Sequence, residues 1–263
     1  MKNILSLISL TVLFLFIVSS IGTVSSDSKT VKVLFIGNSL TSANNLPGMV
    51  SDIAKSHGYR LLYDSYTPGG ARLANHAFDS EVLQKITEKS WNFVVFQEQS
   101  QYPGFSKKQL KKDVFPYAKR LAEAVRNAND KSSVVFYMTM ARRNGDPDNK
   151  NVSSELLTYE GMQKRVNSCY IEMGKNNRGL IAPVGEVWRV IRKEAPDINL
   201  YADNVHPNSI GMYLAACVFY TTFFKETSIG SSISPGVNST SAKYIQRLVD
   251  RIVFKQSQKW DWR

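Results

Sequence analysis

The sequence predicts an α/β protein, a three-layer α/β/α sandwich built on a five-stranded, mostly parallel sheet. Three observations carry that reading. Short β-branched and aromatic runs alternate with longer stretches whose apolar residues recur near every 3.6 positions. Several short runs, such as Phe93-Val94-Val95-Phe96, are apolar at every position, as strands covered on both faces must be. Residues 26–263 suffice for one domain with a full core, and they contain no internal repeat and no low-complexity linker.

The elements follow in order. A first strand spans 31–36 (VKVLFI) and stops at Gly37. A helix at 47–57 leads to a second strand at 61–66 (LLYDSY), and a helix at 79–89 leads to a third at 93–97 (FVVFQ). A long helix over 109–128 precedes the fourth strand, 133–139 (SVVFYMT). The segment 142–155 (RRNGDPDNKNVSSE) reads as a polar loop near the carboxyl edge of the sheet. A helix at 156–177 and a fifth strand at 180–184 (LIAPV) follow. No element is assigned between 185 and 208, and two helices, 209–225 and 240–256, close the chain. In open parallel sheets ligands bind beyond the carboxyl ends of the strands, so polar residues just past those ends are where chemistry is expected.

The first 25 residues read as a secretory signal peptide: Lys2, an apolar core from Ile4 to Val18, then small and polar residues to Ser26. The apolar core, about 15 residues, falls short of the roughly 20 that span a bilayer, which disfavours the competing reading of an uncleaved anchor. The chain is therefore expected to be extracellular, with Asn151-Val152-Ser153 and Asn238-Ser239-Thr240 as glycosylation sequons if the host glycosylates. Cys169 and Cys217 are too few for a disulfide framework and lack metal-ligand spacing; buried thiols and a single bridge both stay open. The formal charge is +11, and loss of Lys2 with the leader leaves +10. The run KKQLKK at 107–112 reads as the solvated face of a helix start. Nothing interleaves charge with aromatics as nucleic-acid modules do, so nucleic acid is not an expected partner. Affinity for anionic surfaces or polysaccharides remains compatible with the charge.

Gly37-Asn38-Ser39-Leu40 follows the first strand directly. Ser39 there either caps a helix or stands as a nucleophile near polarised backbone N–H groups. A hydroxyl needs a base to act as a nucleophile, and the chain has three histidines. His57 sits at a helix end, and His76 either lines a site or packs. His206 differs, because Asp203 lies three residues before it in a polar loop that opens a long apolar helix. An Asp-x-x-His loop can place the carboxylate on one ring nitrogen and leave the other facing outward. Oxyanion donors can come from YTPGGARL (66–73), where Gly69-Gly70 bring bare N–H groups close, or from Gln97, Glu98 and Gln99 in FQEQSQYPG (96–104).

In this order, the blocks VLFIGNSLT, Gly69-Gly70, a polar end to the third strand and Asp203-x-x-His206 resemble the SGNH hydrolases, the GDSL esterase/lipase superfamily. The resemblance runs from Val31 to Tyr220. It implies a flavodoxin-like SGNH fold, Ser39 as nucleophile, Asp203 and His206 completing a triad, and Gly70, ahead of Gly69, as the oxyanion glycine. Asn38 stands where the family has aspartate. The third-block Gly-x-Asn-Asp is absent; VVFQEQS is similar to a bacterial branch with Gln-Glu-Gln-Ser and to the Gln-Gly-Glu of sialate O-acetylesterases. The oxyanion hole implied is thus the N–H groups of Ser39 and Gly70 with the amide of Gln97, and Gln99 as second choice. The resemblance further implies ester hydrolysis through an acyl-enzyme with neither metal nor organic cofactor, on short acyl groups such as acetyl carried by a glycan. Two alternatives stand beside it: a catalytically weak glycan-binding protein on the same fold, and a lipase- or phospholipase-type enzyme, for which no apolar lid segment is seen.

Overall fold

The computed structural model describes residues 29–263; the leader expected over 1–25 lies outside the described residues. The chain starts with β1 (Thr30–Ile36), the short helix α1 (Ser39–Ser42) and α2 (Leu46–Ser56). Then come β2 (Arg60–Tyr66), α3 (Leu73–His76), α4 (Ser80–Glu88) and β3 (Phe93–Phe96). They are followed by α5 (Lys107–Asp113), α6 (Phe115–Ala128) and β4 (Ser133–Tyr137). The remaining elements are α7 (Tyr159–Asn176), β5 (Leu180–Ala182), α8 (Val184–Glu194), α9 (Ser209–Phe224) and α10 (Ser239–Val249).

The sheet order is β2-β1-β3-β4-β5, and every pairing is parallel. The expected α/β/α sandwich is thus observed. Helices α4, α6 and α7 form one layer, α2 and α9 the other, and α10 packs on α9. Burial explains the apolar runs: Val33, Leu34, Phe35 and Ile36 are all fully covered, as are Val94, Val95 and Phe96. Helix α9 is buried from Gly211 to Phe224, because it lies between the sheet and the outer helices α8 and α10.

Three details differ from the expectation, and one open alternative is resolved. The long helix over 109–128 breaks at Val114, because Pro116 lacks the N–H and the space to continue the preceding turn. The fifth strand ends at Ala182; Pro183 stops it, and the unassigned segment holds α8, whose stripe Val184, Val187, Trp188 and Ile191 is buried. The last helix changes to π-helical turns over Asp250–Phe254. Both cysteines are free, buried thiols.

Register positions the site. Ile36 pairs with both Tyr66 and Phe96, so the chain leaves three adjacent strands level at Gly37, Thr67 and Gln97. The chain crosses from one side of β1 to the other between β2 and β3. A crevice at the carboxyl ends is expected at such a switch in strand order. Ser39 stands there. Among the described residues no helix is long and apolar enough to cross a membrane.

Candidate active site

The turn after β1 is fixed from three directions. Asn38, not Ser39, caps α1: its Oδ1 accepts the N–H of Leu40 at 3.0 Å. Its Nδ2 donates to the carbonyl of Ala71 at 2.8 Å, and its N–H donates to Gln97 Oε1, also at 2.8 Å. Gly37 is required here by close approach: a Cβ would lie 2.5 Å from Gln97 Oε1 and 2.5 Å from Thr41 Oγ1. His76 is buried beneath the turn and donates from Nε2 to the Gly37 carbonyl at 2.9 Å, and burial lowers its pKa. His57 stacks on Tyr220 with ring centroids 4.8 Å apart. Neither of these histidines bonds to Ser39.

Because Asn38 does the capping, the Ser39 hydroxyl is released for another partner. Its Oγ lies 3.0 Å from Nε2 of His206, and Nδ1 of His206 lies 2.8 Å from Oδ2 of Asp203. The other Asp203 oxygen accepts the N–H groups of Val205 and His206, each at 2.6 Å. These two backbone bonds, and then the imidazole, hold the Asp203 carboxyl down at about 2, so it is ionised across the neutral range. An ionised carboxylate only accepts hydrogen bonds. Nδ1 therefore carries the ring proton, and the Nε2 lone pair faces Ser39. An alcohol, an imidazole and a carboxylate in this order can pass the hydroxyl proton to the ring.

The Asp203–His206 loop is held by the strand on the far side. The N–H groups of Arg143 and Asn144, beyond β4, donate to Asn204 O at 2.8 Å and Asn204 Oδ1 at 3.0 Å. Tyr201 donates its hydroxyl to the carbonyl of Ala141 at 2.6 Å. The polar loop after β4 is thus the support of the histidine loop. Nothing in its composition marks that role, because the bonds join residues 60 apart.

The oxyanion assignments divide. The N–H groups of Ser39 and Gly70 make no hydrogen bond among the described residues, and Gly70 is exposed at φ +71°. Gln97 corrects the expectation. It is fully buried, its Oε1 accepts from Asn38 N–H and from the Thr41 hydroxyl, and its Nε2 donates to Glu98 O. That amide builds the turn and does not face a ligand. Gln99 is half-buried; its Oε1 accepts the N–H of Gln101, and its Nε2 makes no bond among the described residues. A Gln97→Met variant keeps the volume but leaves the Asn38 N–H and the Thr41 hydroxyl without an acceptor. It should lose roughly 2–6 kcal/mol, since each orphaned buried group costs about 1–3. A thermal melt checks this. An unchanged Tm with lost turnover would instead return Gln97 to the oxyanion hole.

No protein-family model matches the sequence, and no curated protein does. Solved structures do. The chain is similar to a protein of the DUF4886 family from Bacteroides uniformis at 16% identity and TM-score 0.72, over 89% of this chain and 98% of that one. It is also similar to a candidate SGNH hydrolase from Slackia heliotrinireducens at 26% identity and TM-score 0.60, over 73% and 98%. A variant of the acetyl-xylooligosaccharide esterase Axe2 from Geobacillus aligns at 14% identity and TM-score 0.50, over 76% and 96%. The fold is therefore one found among esterases and SGNH hydrolases. The Slackia likeness supports that superfamily and, with it, a hydrolase.

Proposed function

We propose that this protein is a secreted serine esterase that removes short acyl groups, acetyl foremost, from a glycan through an acyl-enzyme. The observation that carries the reading is the bonded series Ser39 Oγ, His206 Nε2, His206 Nδ1, Asp203 Oδ2, at 3.0 and 2.8 Å. In the first step His206 takes the hydroxyl proton as Ser39 attacks the ester carbonyl. The negative charge on the tetrahedral oxygen is held by the N–H groups of Ser39 and Gly70 and by the Gln99 amide. His206 then protonates the leaving alcohol, and water repeats the sequence on the acyl-serine. Asp203 keeps the ring oriented and balances the imidazolium. Each step is acid–base and addition–elimination chemistry that these side chains perform unaided.

The openness of the site supports a glycan ester. The His206 side chain is 39% exposed, so a sugar on a long polymer can reach it without entering a tunnel. Secretion rests on the leader sequence, and the sequon asparagines Asn151 and Asn238 are both exposed. A serine-directed fluorophosphonate should label the wild type and not Ser39→Ala. Acetylated xylooligosaccharides should be deacetylated faster than p-nitrophenyl esters of long acyl chains. Wild-type protein that resists labelling would leave a glycan-binding role on an inactive site.

A further inference from the structure

Three loops meet at the rim where Ser39 stands, and hydrogen bonds join them in pairs. The β1 turn is tied to the β3 end through Asn38 N–H and Gln97 Oε1, and to the β2 loop through Asn38 Nδ2 and the Ala71 carbonyl. The third connection, from the β3 end to the β2 loop, must cross over the strand that leads to Ser39, since β1 lies between them. Glu98 makes it. One carboxylate oxygen, Oε1, accepts the N–H of Leu73 at 3.3 Å and of Gln99 at 2.7 Å. Leu73 begins α3 directly after the Gly69-Gly70 turn, and Gln99 carries the free amide. Glu98 is fully buried, and its second oxygen, Oε2, has no partner among the described residues. A buried carboxyl left half-satisfied is costly, and that cost is unusual for a residue that merely packs.

We propose that Glu98 is a positioning residue whose carboxylate sets the spacing between the Gly70 turn and the Gln99 amide, and that gaining a proton loosens this grip. The effect on rate rests on the esterase reading; the proton-dependent grip does not. Burial pushes the Glu98 carboxyl up to about 7, against the N–H of Gln99, the charge of Arg72 and the N–H of Leu73. The groups facing it are Arg72 from the β2 loop, and Tyr170 and Cys169 from α7. Burial raises both of the latter, so they stay neutral, and the Glu98 N–H donates to the Tyr170 hydroxyl at 3.1 Å. The Arg72 guanidinium is fixed over the Tyr102 ring, 3.6 Å from its centroid, and donates to the Asp113 carbonyl. Proton uptake at Glu98 is therefore the event that changes the charge inside this cluster near neutral pH. A carboxylate accepts more strongly than a carboxyl, so both amide bonds weaken as the pH falls through that value.

The first test reads the bonds themselves. In a His206→Asn background, which leaves as imidazoles only His57 and His76, both lowered by burial, the amide protons of Leu73 and Gln99 are followed by NMR from pH 5 to 9. They should shift together with one midpoint near 7, and the shift should vanish in Glu98→Gln. Amides that do not titrate, or that still titrate in Glu98→Gln, overturn the proposal whether or not the protein is an esterase. The second test reads turnover. Glu98→Gln keeps an accepting oxygen but not the charge, so at pH 8 it should turn over about 3- to 10-fold more slowly than wild type, as the wild type does once Glu98 is protonated. Its kcat/KM should lack the part of the wild-type acid limb whose midpoint lies near 7. Glu98→Ala should lower kcat by about 10- to 100-fold, with KM little changed, because misplaced donors weaken only the transition state. Wild-type kcat in Glu98→Ala, or the same acid limb in wild type and Glu98→Gln, would overturn it. If Glu98→Ala fails to fold, the Glu98→Gln acid limb and the amide titration still decide.

Discussion

The Asp203→Asn protein should fold as the wild type does and lose about 10³- to 10⁴-fold in kcat. The reason lies in which atoms the carboxylate serves. Oδ1 accepts two backbone N–H groups and Oδ2 accepts the imidazole Nδ1 proton. An asparagine has one accepting oxygen, and the two backbone N–H groups, fixed 2.6 Å away, claim it. The amide NH₂ then faces Nδ1, which must turn to the accepting form. The ring proton moves to Nε2, the nitrogen 3.0 Å from Ser39 Oγ, which can no longer take the hydroxyl proton. Initial rates on an acetyl ester, beside a melting curve, check the outcome. An Asp203→Asn enzyme with wild-type kcat would show that another residue orients the ring. Added to Ser39→Ala, it should bring little further loss beyond that of Ser39→Ala alone, since members of one relay are not additive.

Phe219→Ala is the largest effect expected on stability, and it should act without touching chemistry. Phe219 is fully buried on α9, with its ring 5.6 Å from Phe35, 5.0 Å from Tyr137 and 5.5 Å from Phe223, centroid to centroid. Those partners sit on β1, β4 and α9, so this one ring clamps the buried helix to the middle of the sheet. Truncation removes the ring's transfer energy and leaves a cavity that rigid strands cannot fill, a loss of about 3–5 kcal/mol. In a chain of this size that lowers Tm on the order of 10 °C. Differential scanning calorimetry measures it. Phe219→Leu should recover more than half of the loss. The folded fraction of Phe219→Ala should keep its kcat, because Ser39 at the start of α1 and Asp203 and His206 in their loop lie outside this cluster.

The boundary between what was legible and what was not follows the range of the interactions. The sheet was legible because a strand covered on both faces must be apolar at each position, and Val33–Ile36 and Val94–Phe96 announce that locally. Helix α8 was not, because its five buried residues follow an apolar strand and the stop between them rests on one proline, Pro183. Ser39, Asp203 and His206 could be picked out by residue type and by the short Asp-x-x-His spacing. The choice between cap and nucleophile could not, since it depended on Asn38 taking the cap. The amides show the limit most plainly. Gln97 and Gln99 are equivalent on paper, two positions apart. The approach of Asn38 and Thr41 turned Gln97 into the wall, while the Nε2 of Gln99 makes no bond among the described residues. By itself, the sequence determined the layers, the strands and the residue types at the rim, because hydrophobic periodicity is a property of neighbouring residues. Which polar groups face one another was decided by the tertiary structure alone, because those bonds join positions 25 to 167 residues apart, and only the register of the sheet brings them within reach.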